Sequence, residues 1–95
     1  MPYRIDIYIG SDNGSRIIDE NYLSKIRQWA DGVFPEGYTV VRGQGYYRGI
    51  SEDSLLLNVL SSDEICLREQ LEKLKYELDQ EAILVAKSQV DLEVI

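Results

Sequence analysis

Three patterns in this sequence predict an α+β domain with the element order strand, helix, strand, strand, helix, strand. Near the start, apolar and polar residues alternate, which is typical of a strand with one buried face. Two other stretches repeat apolar residues every three or four positions, which is typical of helices with one buried face. An almost wholly apolar run between them is typical of a central strand. This order predicts a ferredoxin-like β-α-β-β-α-β fold, an antiparallel four-stranded sheet with two helices on one face.

The first strand and the first helix have the clearest periodicity. A strand is predicted over Tyr3–Ile9, because isoleucine occupies every second position from Ile5. The glycine- and serine-rich residues 10–15 that follow are typical of a turn. A helix is predicted over Asp19–Gly32, and its apolar stripe consists of Tyr22, Ile26, Trp29 and Val33.

The second strand is predicted over Tyr38–Gly49, and its residues fall by alternation on two unlike faces. Gly43 and Gly45 indicate a bulge or a bend within it. Residues 51–54 are interpreted as the following turn, and Leu55–Leu60 as a third strand buried on both faces. Because two helices cover only one sheet face, we expect another copy of the chain to cover the other.

The second helix is predicted from Ser61, which has capping-box spacing to Glu64, to about Asp79. Cys66 would then lie half-buried in its first turn as a small packing residue. The last strand is predicted over Ala82–Ile95, with a bulge at residues 87–89. Its final alternating piece is expected to form a sheet edge or to pair with a partner chain.

Size and cysteine content predict the number of domains and the cellular compartment. Its 95 residues predict one domain over residues 1–95, small enough for an oligomer interface to help its stability. No apolar run approaches the ~20 residues that span a bilayer, and no charged and apolar leader precedes Tyr3. With a single cysteine, these features predict a cytoplasmic protein with no membrane partner.

The charge distribution argues against several function classes. The net charge is −7, and the whole excess lies in residues 51–95, so direct nucleic-acid binding is not expected. The absence of histidine removes the commonest general base and a common transition-metal ligand. We therefore expect no metal and no cofactor, and the composition argues against an enzyme without excluding one.

Residues 37–54 hold the densest set of candidate binding residues. Arginine guanidinium groups pair bidentately with phosphate or carboxylate, and tyrosine rings stack on bases. The bare backbone at glycines would admit a ligand closely. The alternative is that the arginines only pair with neighbouring acids. The candidate ligand-binding residues are Arg42, Gln44, Tyr46, Tyr47, Arg48 and Glu52.

These motifs resemble those of a small uncharacterised family of bacterial and phage proteins, a domain of unknown function. The shared residues are Phe34-Pro35-Glu36-Gly37-Tyr38-Thr39-Val40, Gly43-Gln44-Gly45, Tyr47-Arg48, Glu52 and Ser54, with Gln80-Glu81 before the last strand. Tyr47 departs from the family pattern, in which we expect tryptophan. This resemblance implies no function.

A second and weaker resemblance is to PII-like signalling proteins. It is carried by residues 8–10, residues 39–43 and residues 90–95. It implies a ferredoxin-like trimer that binds nucleotides between subunits. The long loop that those proteins have after the second strand is missing here.

Three functional hypotheses follow. The first is a non-catalytic homodimer or homotrimer, assembled through the open sheet face, that binds an anionic small molecule or a nucleotide between subunits. The second is an acidic interaction or inhibitor protein, phage-encoded, that docks on a basic protein partner. The third is a small-molecule isomerase or lyase of a ferredoxin-like dimer, with Tyr46, Arg48 and Glu52 as acid, oxyanion binder and base.

Overall fold

The computed structural model describes residues 1–95 and has the ferredoxin-like α+β fold. Its four antiparallel strands are ordered β2-β3-β1-β4 in one sheet, and both helices contribute to the core on one face. The elements are β1 (Tyr3–Gly10), α1 (Glu20–Val33), β2 (Thr39–Tyr47), β3 (Ile50–Ser61), α2 (Arg68–Glu77) and β4 (Leu84–Gln89). The predicted fold class is confirmed.

Strand β1 is central because its alternation gives it one wholly apolar face. Ile5, Ile7 and Ile9 are each 0% exposed and pair in register with Val59, Leu57 and Leu55 of β3. On the opposite face Asp6 accepts a hydrogen bond from Asn58 Nδ2 at 2.8 Å. A strand with this pattern places its last residue, Gly10, at the end of the sheet, on the uncovered face.

Helix α1 agrees with its prediction to within one residue at either end. Asp19 is the N-cap, and its carboxylate accepts from the Tyr22 backbone N–H at 2.8 Å. Tyr22, Ile26 and Ala30 form the buried stripe, while Trp29 is half-buried at its border. No helix of the structure has both the length and the apolar character needed to cross a membrane.

Helix α2 begins at Arg68, so the prediction that it starts at Ser61 with a capping box is wrong. The Ser61 hydroxyl instead donates to the Asp63 carbonyl at 2.7 Å and accepts from the Asp63 N–H at 3.2 Å, which forms a local turn. Cys66 therefore precedes the helix and is exposed, not half-buried in a first turn.

The β2–β3 hairpin turns earlier than the sequence suggests. Arg48 and Gly49 form a two-residue turn with φ values of 52° and 79°, as a type I′ turn requires at both positions. The expected turn at residues 51–54 is wrong, because these residues lie within β3. The expected bulge is also absent, since the register from Thr39 to Tyr47 is unbroken.

The last strand is shorter than predicted. Strand β4 ends at Gln89, and the last six residues, 90–95, form no strand within the chain. The open sheet face carries the exposed side chains of Tyr8, Val41, Leu60 and Leu84. Its cover by a second copy stays a prediction.

Candidate functional site

The candidate residues from the sequence are distributed over both sheet faces and the hairpin turn. The register places Arg42, Gln44 and Tyr46 on the helix-covered side of β2, with Tyr47 and Glu52 on the open side. Arg48 lies in the turn between β2 and β3. The six residues therefore do not line a single cleft.

Arg42 and Gln44 are engaged by their own chain. Arg42 Nη2 donates to the Ile18 carbonyl at 2.6 Å. Gln44 Nε2 donates to Asp53 Oδ1 at 3.0 Å, and Gln44 Oε1 accepts from the Ser51 hydroxyl at 2.5 Å. The Arg42 contact joins the loop before α1 to the hairpin, and the Gln44 contacts join β2 to β3, so both side chains have a structural role.

Asp53 is the centre of this network. Its Oδ2 accepts from the Ile18 backbone N–H at 2.9 Å, and its own N–H donates to the Arg16 carbonyl at 3.0 Å. The Ile18 N–H, followed by the Gln44 amide, holds the pKa of the Asp53 carboxyl below its usual value.

Replacing Asp53 with asparagine is expected to lower the melting temperature at pH 7 by a few degrees. A carboxyl with a depressed pKa in the folded state stabilises the fold above its unfolded pKa, and that contribution is lost as pH falls through the folded value. The difference in melting temperature between wild type and Asp53→Asn should therefore become smaller below about pH 4. Thermal melts of both proteins from pH 7 to pH 2.5 would measure this difference. Asp63→Asn, in an exposed turn, is the control, and an equal gap at all pH values would contradict the prediction.

The hairpin tip presents the remaining candidates to solvent. Tyr46 is 74% exposed and Tyr47 66% exposed. The Arg48 guanidinium lies 5.2 Å from the centroid of the Tyr47 ring and makes no ion pair or hydrogen bond. The tip therefore exposes one cationic side chain and two aromatic rings, and no surrounding residues enclose them.

A different group of polar residues converges where β1 ends. The Tyr22 hydroxyl, from the first turn of α1, donates to the Gly10 carbonyl at 2.6 Å. Gln80 Nε2, just after α2, donates to the Ser11 carbonyl at 2.6 Å and to the Tyr22 hydroxyl oxygen at 2.9 Å. We define the Gly10 site as Gly10, Ser11, Tyr22, Glu52 and Gln80.

Glu52 approaches the Gly10 site from β3. The Ser11 hydroxyl is 3.4 Å from Glu52 Oε2, a long hydrogen bond, and Ser11 itself is 2% exposed. A methyl group added to Gly10 would lie 3.6 Å from Gln80 Oε1 and 3.9 Å from Glu52 Oε1. Neither of these two oxygens accepts a hydrogen bond within the chain. The site therefore places two free acceptors beside a bare stretch of backbone.

Tyr22 is a fixed donor in this site. Burial raises the pKa of Tyr22 to about 12, against the opposing effect of the Gln80 amide, while the nearby Asp12 and Glu52 charges raise it further. The hydroxyl thus stays protonated at neutral pH and positions Gly10. Glu52 is the member left to meet a ligand as a charge or as a base.

Sequence reasoning identified only Glu52 among the five members of the Gly10 site. Ser11, Tyr22 and Gln80 were assigned to a turn, a core stripe and a family motif, and they are far apart in the chain. Their convergence depends on where α1 and α2 begin and end over the sheet. No group of three or more potential ligating side chains that could hold a metal ion is present.

Comparisons with known proteins support the fold. No protein-family model matches the sequence, and no curated protein does. Among solved structures, the chain is similar to a phage SAM lyase in complex with S-methyl-5′-thioadenosine, with a TM-score of 0.60, 15% identity, and coverage of 93% of this chain and 81% of that one. It is also similar to the de novo designed protein Foldit4, with a TM-score of 0.45, 16% identity, and coverage of 95% and 97%.

These similarities are too distant in sequence to assign a family. The phage origin of the first neighbour is consistent with the resemblance to a small family of bacterial and phage proteins. No family model supports that resemblance or the one to PII-like proteins, so both stay predictions.

Proposed function

We propose that this protein binds a small nucleoside-type molecule carrying a positive charge, of the S-adenosylmethionine class, at the Gly10 site. The observation that carries the proposal is the pair of unengaged acceptors, Glu52 Oε1 and Gln80 Oε1, beside the bare Gly10 backbone. Such a pair suits a ligand rich in N–H donors with a cationic centre.

The electrostatics of the site support a cationic ligand. The charges of Asp12 and Glu52 contribute to the raised pKa of the Tyr22 hydroxyl, so two carboxylates lie near the site. The chain as a whole carries a net charge of −7. A surface with an excess of one sign of charge raises the local concentration of oppositely charged ligands.

The position of the site supports binding between subunits. By strand register Gly10 and Glu52 both lie on the open face of the sheet, and Tyr22 and Gln80 reach the end of β1 from α1 and from the segment after α2. A second copy placed over this face, which is also the predicted surface for a homodimer or homotrimer, would close the site from solvent. Exclusion of water strengthens charge–charge contacts within such a site.

The fold neighbour supports the choice of ligand class. The phage SAM lyase was solved with S-methyl-5′-thioadenosine, and its fold covers 93% of this chain. Because fold does not imply function, the ligand class remains a proposal that the Gly10 site must justify by its own chemistry.

This proposal changes the charge of the ligand expected from the sequence. An anionic ligand was expected because two arginines lie on or next to β2, but Arg42 donates to the Ile18 carbonyl. Only Arg48 stays free, and it lies at the exposed hairpin tip. An anion bound at that tip would pair with one guanidinium group and would stay exposed to solvent.

A lyase acting on the same ligand is the second candidate, favoured by the outward-facing Glu52 carboxylate. Releasing S-methyl-5′-thioadenosine from S-adenosylmethionine breaks the bond between the sulfonium sulfur and the amino-acid carbon, and the electron pair stays on sulfur. In the same step the adjacent carbon loses a proton, and the electron pair of that C–H bond forms the double bond. Glu52 is the side chain that would accept this proton.

The acidic interaction protein has less support. On α2, Glu72 Oε2 lies 3.2 Å from Lys75 Nζ and Glu72 Oε1 lies 3.9 Å from Arg68 Nη1, so part of the acidic surface is neutralised within the chain. Docking on a basic protein partner stays a prediction.

Isothermal titration of the purified protein with S-adenosylmethionine tests the proposal, with S-methyl-5′-thioadenosine and ATP as comparison ligands. We expect saturable binding that is strongest for S-adenosylmethionine, because it alone of the three carries a sulfonium cation. Chromatography of the same mixtures separates the two candidates, since a lyase would release S-methyl-5′-thioadenosine with time. Equal or stronger binding of ATP, or no binding of any of the three, would contradict the proposal.

A further inference from the structure

Arg16, in the loop between β1 and α1, lies beside the Gly10 site with its charged group unpaired. The residue is exposed, and its guanidinium makes no ion pair and no hydrogen bond within the chain. Its backbone is fixed at both polar atoms: the N–H donates to the Asp12 carbonyl at 2.8 Å, and the carbonyl accepts from the Asp53 N–H at 3.0 Å. The position of Arg16 is therefore fixed, while its charge remains available to a ligand.

The strand register places Arg16 next to the Gly10 site. Gly10, the last residue of β1, pairs with Ser54 of β3. The next residue of β3 toward the hairpin, Asp53, has no partner in β1, and its N–H donates to the Arg16 carbonyl instead. One position further is Glu52, whose Oε1 would lie 3.9 Å from a methyl group added to Gly10. An unpaired cation thus lies beside the residue that follows Glu52.

The backbone conformation of Arg16 shows that the stability of the fold does not favour an arginine here. Its φ of 61° lies in the left-handed region, which glycine adopts at lower cost. The bonds to Asp12 and Asp53 impose this conformation, and both are made by the backbone of Arg16. The polar contacts of this position would therefore survive a change of side chain.

A ligand of the S-adenosylmethionine class brings an anion as well as cations to this site. Its amino-acid end carries a carboxylate and an ammonium group on the same carbon. A carboxylate placed beside Glu52 without a nearby cation would be repelled, because like charges disfavour one another at short range. Arginine binds carboxylates through two parallel N–H···O bonds. Glu52 and Arg16 together therefore match the adjacent ammonium and carboxylate of the ligand.

We propose that Arg16 binds the carboxylate of this ligand while Glu52 faces its cationic groups, so that the Gly10 site recognises the amino-acid end. The inference rests on the proposed function, since it names how the same site distinguishes one sulfonium nucleoside from another. Arg42, which also contacts the loop before α1, donates to the Ile18 carbonyl and is already engaged.

Decarboxylated S-adenosylmethionine provides the test, because it keeps the sulfonium and ammonium groups and lacks only the carboxylate. Isothermal titration compares the two ligands on the wild type, Arg16→Gln and Arg16→Lys. We expect the wild type to prefer S-adenosylmethionine by about tenfold or more, the effect of hydrogen bonds between charged groups. Arg16→Gln should lose this preference while binding the decarboxylated ligand at least as tightly as the wild type does. Arg16→Lys should keep part of the preference.

Arg48→Gln is the matched control, because Arg48 is also an arginine with a positive φ and no ion pair, but lies in the hairpin turn. It should keep the wild-type preference. Arg16→Gln should melt at the wild-type temperature, since the hydrogen bonds of Arg16 are made by its backbone.

Three results would overturn the inference while the proposed ligand stands: equal binding of both ligands by the wild type, an unchanged preference in Arg16→Gln, or a lower melting temperature with equal losses for both ligands in that variant. If the wild type binds neither ligand, the proposed function is overturned and this inference with it.

Discussion

Replacing Ile7 with alanine is expected to destabilise the fold by about 2–5 kcal/mol, the range for truncating a buried aliphatic side chain. Ile7 is 0% exposed in the middle of β1, between Leu57 of β3 and Val85 of β4. A domain of this size has a total stability of about 5–15 kcal/mol, so the change removes a large share of it. Because protein interiors are close-packed and both neighbouring strands pair with β1 in register, we expect little relaxation into the cavity.

Urea denaturation followed by the fluorescence of Trp29 would measure the loss. Trp29 is the only tryptophan, and its ring lies 5.7 Å edge-on from Phe34 at the border of the core. Ile17→Ala is the matched control, because the same atoms are removed from a side chain that is 54% exposed. A loss of under about 1 kcal/mol for Ile7→Ala would show that the interior repacks more freely than this register allows.

Replacing Glu52 with glutamine is expected to weaken the binding of S-adenosylmethionine by about tenfold or more, equivalent to about 1.4 kcal/mol. The substitution keeps the shape of the side chain and removes its charge. Hydrogen bonds to a charged group contribute about 1.5–3 kcal/mol, so the loss of the carboxylate alone accounts for the change. The Glu52 side chain makes only one hydrogen bond within the chain, a long one to Ser11 at 3.4 Å, and the melting temperature should therefore change little.

Titration calorimetry measures this effect, with Glu36→Gln as the control for a change of net charge elsewhere. Gly10→Ala tests the other half of the site: its methyl group would have ordinary contact distances of 3.6 Å and 3.9 Å in the free protein, but would occupy the space beside the two acceptors. Wild-type affinity in both Glu52→Gln and Gly10→Ala would place the ligand elsewhere.

The elements with regular periodicity and local signals could be predicted well. The alternation of Ile5, Ile7 and Ile9 defines which face of β1 is buried, and Asp19 caps α1 through a contact three residues away. Both features depend on neighbours in the sequence. The sheet order also followed, because an apolar third strand is satisfied only at a central position.

Some of the wrong predictions concern residues whose local preference is overridden by distant partners. Residues 51–54 are typical turn formers, but Asp53 binds Ile18 and Arg16, and this contact keeps the segment in β3. Ser61 has capping-box spacing but bonds locally to Asp63 instead of capping a helix. The Gly10 site is the extreme case, since Ser11, Tyr22 and Gln80 meet only after both helices are placed on the sheet.

The length of the hairpin has a consequence for how the molecule moves. Strand β1 ends opposite Ser54, so residues 45–47 and 50–52 continue past the sheet as a two-stranded arm of about 10 Å. This arm contributes to the elongated shape, 41 × 26 × 22 Å, and buries none of its side chains fully. Such an arm can fray and re-form while the core amides of Ile7 and Leu57 stay protected, since local opening costs far less than global unfolding. Tyr46 and Tyr47, both exposed, would move with this arm relative to the sheet.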